Sequence, residues 1–503
     1  MLRGLLTIAC CLPAICQALQ IDVQGVTAIP ETEINQILQS YRGADLDVED
    51  AVRLADLLNR RYAELGYVTS GVVLPAAPEG DRIVLQAIEG TLGEVRVRDS
   101  GRLSRRFLSQ RISRYSETPF NISNVQRAFT ILEQDPAISA LRGELVPGQR
   151  RGEAILELTA IEAPAFTVAL GVNNYASPSV GADQVELELK HVNLSGRADH
   201  LHLSLRDGEG LTSGSLRYQF PVSRLNARTT LLYSKGDSLV VEAPFEPLDI
   251  RSETDTLSLS MAFRFFELGT SAFEVGFGIE KKSSETWLLD LPFDFSPGSV
   301  DGKSNASVAE IFARFNVRKS NQALATQITW RRGLSIWSAT ELPASIPDGE
   351  FSAFQWYFGY ARQFSLAERD LNLNLRARGQ LTTDTLQSFE RIALGGHASV
   401  RGYRENQVLM DEGWEARLQL DTQFGNHLLI FPFLDAAHGQ NSGERLNVRN
   451  AISLRSLGIG ARATFGGLSF LVEWAKRLNE KQELDDTLQD KGFHIGLRYE
   501  RTL

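Results

Sequence analysis

Residues 256–265 read TLSLSMAFRF, and their alternation decides the fold. Leu257, Leu259, Met261, Phe263 and Phe265 fall on one face of an extended strand, while Thr256, Ser258, Ser260 and Arg264 fall on the other. Successive side chains of a strand point to opposite faces, so the pattern makes one apolar wall and one polar wall. The theme returns in Leu371, Leu373 and Leu375 against Asn372, Asn374, Arg376 and Arg378. It returns again in Phe493, Ile495, Leu497 and Tyr499 against His494, Arg498 and Glu500. Runs of about ten residues suit a tilted strand crossing hydrocarbon and exceed the usual strand of a soluble sandwich. The expected architecture is an all-β transmembrane barrel, apolar towards lipid and polar towards its lumen.

Working outward, about sixteen such antiparallel segments follow Pro164, from 166–173 to 490–501, an even number as bacterial barrels favour. Short turns at 194–197, 268–270, 319–321, 425–427 and 466–467 alternate with long connections such as 235–253, 285–304 and 336–350. Short turns are periplasmic and long loops extracellular in such barrels. The part preceding the first strand enters from the short-turn side and is therefore expected in the periplasm. The connection 383–411 starts from the outside and carries LGGHASVRGYREN at 394–406. Its glycines, with Arg401 and Tyr403, read as a loop folded back into the lumen.

The chain has 503 residues and a net charge of −10, which argues against a nucleic-acid partner. After the N-terminus it holds no run of roughly 18 apolar residues, so no spanning helix is expected. Residues 1–18 have the layout of a secretory signal: Met1-Leu2-Arg3, an apolar run from Gly4 to Cys16, and a cut after Ala18. All three cysteines (Cys10, Cys11, Cys16) fall there. The mature chain is thus expected to lack disulfides, thiol catalysis and cysteine metal sites. Cys16 follows Ala14-Ile15, a poor lipobox, and reads as signal. The seven histidines show no metal-ligand spacing, and His200 and His202 read as polar lining of one strand face. No Walker loop, dinucleotide fingerprint or GxSxG elbow occurs, so no catalytic, metal or cofactor residues are expected.

Residues 19–90 and 91–164 each read as strand, helix, helix, strand, strand. In the first, Ile34, Ile37 and Leu38 mark one helix face, and Val52, Ala55, Leu58 and Tyr62 the apolar stripe of the next; Val68–Leu74 and Arg82–Glu89 are the closing strands. In the second, the helices fall at 103–115 and 122–134 and the later strands at 138–146 and 154–161. This βααββ order resembles a POTRA domain, twice in tandem, with ILEQDPAIS…ELVPG in the second the closer match. The resemblance implies a sheet edge and groove offered to an extended client chain.

Two POTRA-like units, about sixteen strands, and GGHASVRGYRENQ after the eleventh together resemble two-partner secretion transporters of the ShlB/FhaC/HecB haemolysin secretion/activation type. The segment NNYASPSVGADQVELELKHVNLSGRADHLHLSL is a weaker match. The resemblance implies an outer-membrane location in a Gram-negative bacterium. It also implies passage of an unfolded secreted exoprotein, of adhesin or cytolysin type, through the barrel without nucleotide hydrolysis. Outer-membrane lipid and the barrel-assembly machinery during biogenesis are the other implied partners. The alternative is an insertase that assembles other outer-membrane barrels, although such relatives usually carry more POTRA units.

By position, Gly395, Gly396, Val400, Arg401, Gly402 and Tyr403 would form the loop tip. The family's arginine pairs with the aspartate of an F-x-D-x-G strand, here Phe433-Leu434-Asp435-Ala436-Ala437, which makes Asp435 the expected partner of Arg401. Ala437 stands where the family has glycine, so the loop is expected to pack differently there. The expected cut abuts the first strand, leaving no plug helix, and the chain ends without a terminal aromatic.

Overall fold

The computed structural model describes residues 20–41, 46–74, 82–222, 227–268, 270–343, 346–366, 368–442, 450–479 and 486–503. The expected signal segment 1–18, the linker 75–80 and Gly269 of one short turn lie outside them. The chain divides into two compact units. The first runs to Gln134 and takes up Ala140–Ile161; the second comprises Asp135–Ser139 and Glu162–Leu503.

In the first module of unit one, strand Gln20–Gln24 precedes helices Glu31–Gln39 and Val48–Glu64, then strands Gly71–Val73 and Arg82–Ile88. The last strand lies centrally, parallel to the first and antiparallel to Gly71–Val73. Gly71–Val73 is shorter than the run Val68–Leu74 expected, and Val68 is exposed. The long helix opens with a capping box in which Asp47 accepts the Asp50 amide at 2.9 Å and its own amide donates back to Asp50 at 3.2 Å. Ala51, Leu54, Ala55, Leu58 and Tyr62 are buried at helical spacing and pack with Ile83 and Leu85 of the sheet. Val52, expected on that stripe, is instead 44% exposed. Ala51 and Leu54 set the phase of the stripe, and the position after Ala51 turns about 100° away from it.

Two polar devices hold the loops around this sheet. Glu89 accepts the amides of Thr27 and Ala28 at 2.6 and 2.7 Å, the Tyr62 hydroxyl at 3.0 Å and the Thr27 hydroxyl. Burial alone would raise its pKa, but these hydrogen bonds outweigh it and hold the carboxyl below its ordinary range. Gly66 ends the long helix with φ +89°. Its carbonyl accepts the Ile122 amide at 2.9 Å, and Asn121 Nδ2 donates to Leu65 O at 2.9 Å. These bonds join the first module to the second.

The second module repeats the order: Thr91–Asp99, helices Arg105–Ile112 and Ile122–Leu132, then Ile138–Pro147 and Glu153–Glu162, the last again central. The first helix is shorter than the 103–115 expected and finishes in a single 3-10 turn, Ser113–Tyr115.

Unit two is a closed antiparallel barrel of sixteen strands, sealed where the last, Phe493–Thr502, pairs with the first, Phe166–Asn173. The strands fall where the alternation placed them, within a few residues at most ends. The sixth and seventh, Arg251–Leu268 and Ser271–Leu288, are longer, 18 residues each. Beyond Leu257 the outward positions become Asp255 and Glu253, so the apolar signal stops while the ladder continues. Outward side chains along the lipid-facing band include Phe265 (68% exposed), Ile328 (62%) and Phe354 (56%). So many exposed large apolar groups on one surface mark a face built for lipid.

Candidate functional site

Between the eleventh strand, Arg369–Leu381, and the twelfth, Glu412–Phe424, the chain turns back into the barrel. Ile392–Leu394 and Val408–Met410 pair antiparallel as the stem of this loop. Its apolar side packs onto the wall: Leu394, Val400, Tyr403 and Met410 form one buried cluster with Ala437, Ile452 and Leu454. Ala437, the position expected to alter the packing, is 2% exposed inside that cluster.

At the tip, Arg401 is fully enclosed, at 0% exposure, and so is Asp435. Arg401 Nε and Nη2 donate to the two Asp435 oxygens at 2.7 and 2.8 Å, and the Arg401 amide donates to Asp435 Oδ2 at 3.1 Å. Nη1 donates to Gln419 Oε1 at 2.8 Å and to Glu473 Oε1 at 3.0 Å. Phe433 lies flat against the guanidinium, 3.4 Å from ring centre to Cζ. An enclosed arginine needs such a fork-to-carboxylate match, because desolvation of the charge is otherwise costly. The residues expected at the site, Arg401, Asp435 and Phe433, thus stand in contact.

The glycines around the arginine are dictated by backbone. Gly395, Gly396 and Gly402 have φ of 102°, 101° and 89°, a region side chains other than hydrogen avoid. A Cβ on Gly402 would also lie 2.8 Å from Ala475 Cβ and 3.0 Å from its carbonyl. Tyr403 is nearly enclosed; its hydroxyl donates to Asn479 O at 2.6 Å and lies 3.0 Å from Arg455 O.

Several contributors are absent from the expected set. Gln419 and Glu473 complete the arginine's shell. Glu473 also meets His397 Nδ1 at 2.7 Å, and His397 stacks on Tyr175 with ring centres 3.9 Å apart. Arg404 grips Asp490 at 2.5 and 2.7 Å and Glu242 at 2.8 Å. Strand parity carries the signal of Gln419 and Glu473, which occupy inward strand positions; Glu242, His397, Arg404 and Asp490 lie in loops, where no such pattern applies. Among the described residues no group of His, Cys, Asp and Glu is arranged to hold a metal ion.

The profile of the haemolysin secretion/activation protein ShlB/FhaC/HecB matches residues 152–463, and that of the ShlB-type POTRA domain matches 18–90. The chain belongs to this family. The heme/hemopexin transporter protein HuxB of Haemophilus influenzae is 22% identical over 92% of this chain and 82% of its own length. The outer membrane transporter CdiB of Dickeya dadantii is 22% identical over 94% and 85%. Among solved structures, CdiB from Escherichia coli superposes with a TM-score of 0.72 at 18% identity, covering 98% of this chain and 93% of that one. BamA from Haemophilus ducreyi lacking POTRA domains 1–3 gives 0.56 at 12% identity, over 96% and 99%. These two likenesses speak to fold. Membership of the family places the barrel in the outer membrane and its POTRA region in the periplasm. The arrangement around Arg401 holds a segment in place by charge and hydrogen bonds.

Proposed function

We propose that this chain takes an unfolded exoprotein in the periplasm and passes it through its barrel to the cell surface. The observation that carries the reading is the enclosure of Arg401: a charged loop tip is held on the lumen wall by bonds that can be remade, in a barrel that follows POTRA modules. A loop held this way blocks the path and can be displaced without breaking the barrel's ladder.

Capture follows from the sheet edges. Gln20–Gln24 and Gly71–Val73 flank one sheet, and Thr91–Asp99 and Ile138–Pro147 the other. An edge strand adds an extended partner through backbone hydrogen bonds, whatever that partner's side chains. Relatives bear the names heme/hemopexin transporter and hemolysin transporter. The partner proposed here is likewise a secreted protein of adhesin or cytolysin type, read as an extended chain. Folding outside the cell gives the passage its direction, so no nucleotide is required. Outer-membrane lipid surrounds the barrel, and the barrel-assembly machinery inserts it.

Deletion of residues 19–163 is expected to abolish secretion of a partner co-expressed from the neighbouring gene. Normal secretion at normal barrel abundance would defeat the capture step. Secretion continuing with the loop tip cross-linked to the wall would defeat passage through the lumen.

A further inference from the structure

The bonds around Arg401 hold only the tip of the inward loop. Its base carries a second charged contact on a different part of the wall. Glu390 sits in the 3-10 turn Ser388–Glu390, and its side chain is 1% exposed. Arg331 Nη1 donates to its Oε2 at 2.7 Å, and Lys282 Nζ lies 3.0 Å from its Oε1. Glu280 completes the group, accepting from Arg331 Nη2 at 2.7 Å and standing 3.1 Å from Lys282.

The two contacts differ in sign and in place. At the tip the loop supplies the cation and the wall the carboxylates; at the base the loop supplies the carboxylate and the wall the cations. Lys282 and Glu280 lie on the seventh strand, and Arg331 on the ninth, Gln322–Leu334. Gln419, Asp435 and Glu473 lie on the twelfth, the thirteenth (Leu428–Gln440) and the fifteenth (Leu468–Arg477). In a ring of sixteen the seventh and fifteenth strands stand half a turn apart. The ties thus run round the wall from the seventh strand to the fifteenth, with Arg331 and Gln419, the nearest across the two groups, three strands apart.

Neutral bonds reinforce the base. The Gln380 side-chain amide donates to the carbonyls of Glu390 and Asp411, each at 2.9 Å, and the Leu386 amide donates to Asp411 at 3.1 Å. At the tip, the Asp435 and Glu473 carboxylates draw their bonds chiefly from Arg401 and His397. Neutral bonds serve the tip as well: Gln419 Oε1 accepts from Arg401, and the Tyr403 hydroxyl donates to Asn479 O. From this separate placement we infer that Glu390 is a positioning residue, anchoring the loop's base to the seventh and ninth strands independently of the Arg401 contact at the tip. The inference rests on the proposed passage and deepens it, since it gives the stem a hold of its own when the tip is released.

All three cysteines lie within residues 10–16, so pairs of spin labels can be placed cleanly in the purified protein beginning at Leu19. Exposed Ala398 reports the tip, Leu409 at 38% exposure reports the stem, and exposed Asn426 on a short turn is the reference. Electron–electron distance measurements should give narrow 398–426 and 409–426 distributions in the unaltered loop. Arg401→Ala should broaden the first only. Glu390→Gln should broaden the second, and so should Lys282→Gln, which serves if the first variant lowers barrel yield. In a Lys282→Gln/Arg331→Gln background, adding Glu390→Gln should change nothing further. A narrow stem distance in Glu390→Gln, or equal broadening of stem and tip in Arg401→Ala, would overturn the anchor; so would additive effects in the triple variant. The measurement needs no exoprotein, so it fails or holds separately from the secretion assay that tests passage.

Discussion

The guanidinium of Arg401 lies between the Phe433 ring, 3.4 Å away, and the Asp435 carboxylate, which it meets at 2.7 and 2.8 Å. The ring covers one face of the ion and keeps water from it, while the carboxylate satisfies the edge. Attraction between a cation and a ring is worth about 2 kcal/mol where both are desolvated. Phe433→Leu should therefore loosen the tip without releasing it: secretion should fall less than in Arg401→Ala, with a measurable shift in protease sensitivity of the loop. Equal loss in the two variants would mean that Phe433 matters for folding of the barrel and not for the grip.

Exchanging the charges should not rescue the pair. Asp435 has a second cation nearby, Arg417 at 3.8 Å, and Arg401 has a second carboxylate, Glu473 at 3.0 Å. In the double variant Arg401→Asp with Asp435→Arg, the new aspartate would face Glu473 and the new arginine would face Arg417. Removing one partner of a buried pair costs about 3–5 kcal/mol, and the exchange adds two like-charge contacts to that. Secretion by the double variant is expected to be no better than by Arg401→Ala. Substantial recovery would show that the pair acts alone, without the surrounding charges.

Tyr403→Phe removes one hydroxyl from an enclosed site. Its 2.6 Å bond to the Asn479 carbonyl is lost, and the carbonyl is left without that donor. The expected penalty is about 1 kcal/mol, read as faster proteolysis of the loop at unchanged barrel abundance. Tyr403→Ala should cost more, because Tyr403 belongs to the buried cluster with Val400 and Ala437.

The barrel was legible because parity survives in most strands: lipid and lumen impose opposite solvents on alternate residues, although Leu428–Leu434 is apolar on both faces, inward Phe431 and Phe433 included. It became illegible where both faces meet water, as beyond Leu257 on the sixth strand. The Arg401–Asp435 contact was accessible only through a family pattern, since 34 residues separate the two. Glu473 and Gln419 carry no motif and look like any inward polar residue. Glu390 is harder still. Its partner Arg331 is 59 residues away, and a charge in a lumen-facing position is expected almost anywhere. The helix stripe in the first module shows a smaller limit: small Ala51 sets the phase, whereas larger Val52 attracts the eye and is exposed.

Gly66→Ala should weaken the joint between the two periplasmic modules. The residue has φ +89°, and a Cβ there would stand 2.7 Å from Asn121 Oδ1. A left-handed alanine costs about 1–2 kcal/mol, and relief of the contact would pull Asn121 from its bond to the Leu65 carbonyl. Hydrogen exchange at the Ile122 amide, which donates to Gly66, should accelerate while the Ile83 and Leu85 amides keep their protection. Uniform acceleration across both modules would instead indicate global destabilisation.

The Glu89 carboxylate gives the first module a pH dependence whose sign is fixed. Its folded pKa lies below the ordinary 4.5, the Thr27, Ala28 and Tyr62 hydrogen bonds outweighing burial. The group therefore stabilises the fold fully above that ordinary value, and the stabilisation drains as pH falls through the lowered folded value. A neutral glutamine in its place offers one acceptor instead of two charged ones. Glu89→Gln should cost about 1–2 kcal/mol at pH 7, measured as a lower thermal midpoint of residues 19–163. As pH falls through the lowered folded value the two proteins should converge, because both then carry an uncharged side chain. A gap that does not narrow at all as the module is titrated from pH 7 down to its acid unfolding would show that shape, and not charge, is what Glu89 supplies to the Thr27–Ala28 turn.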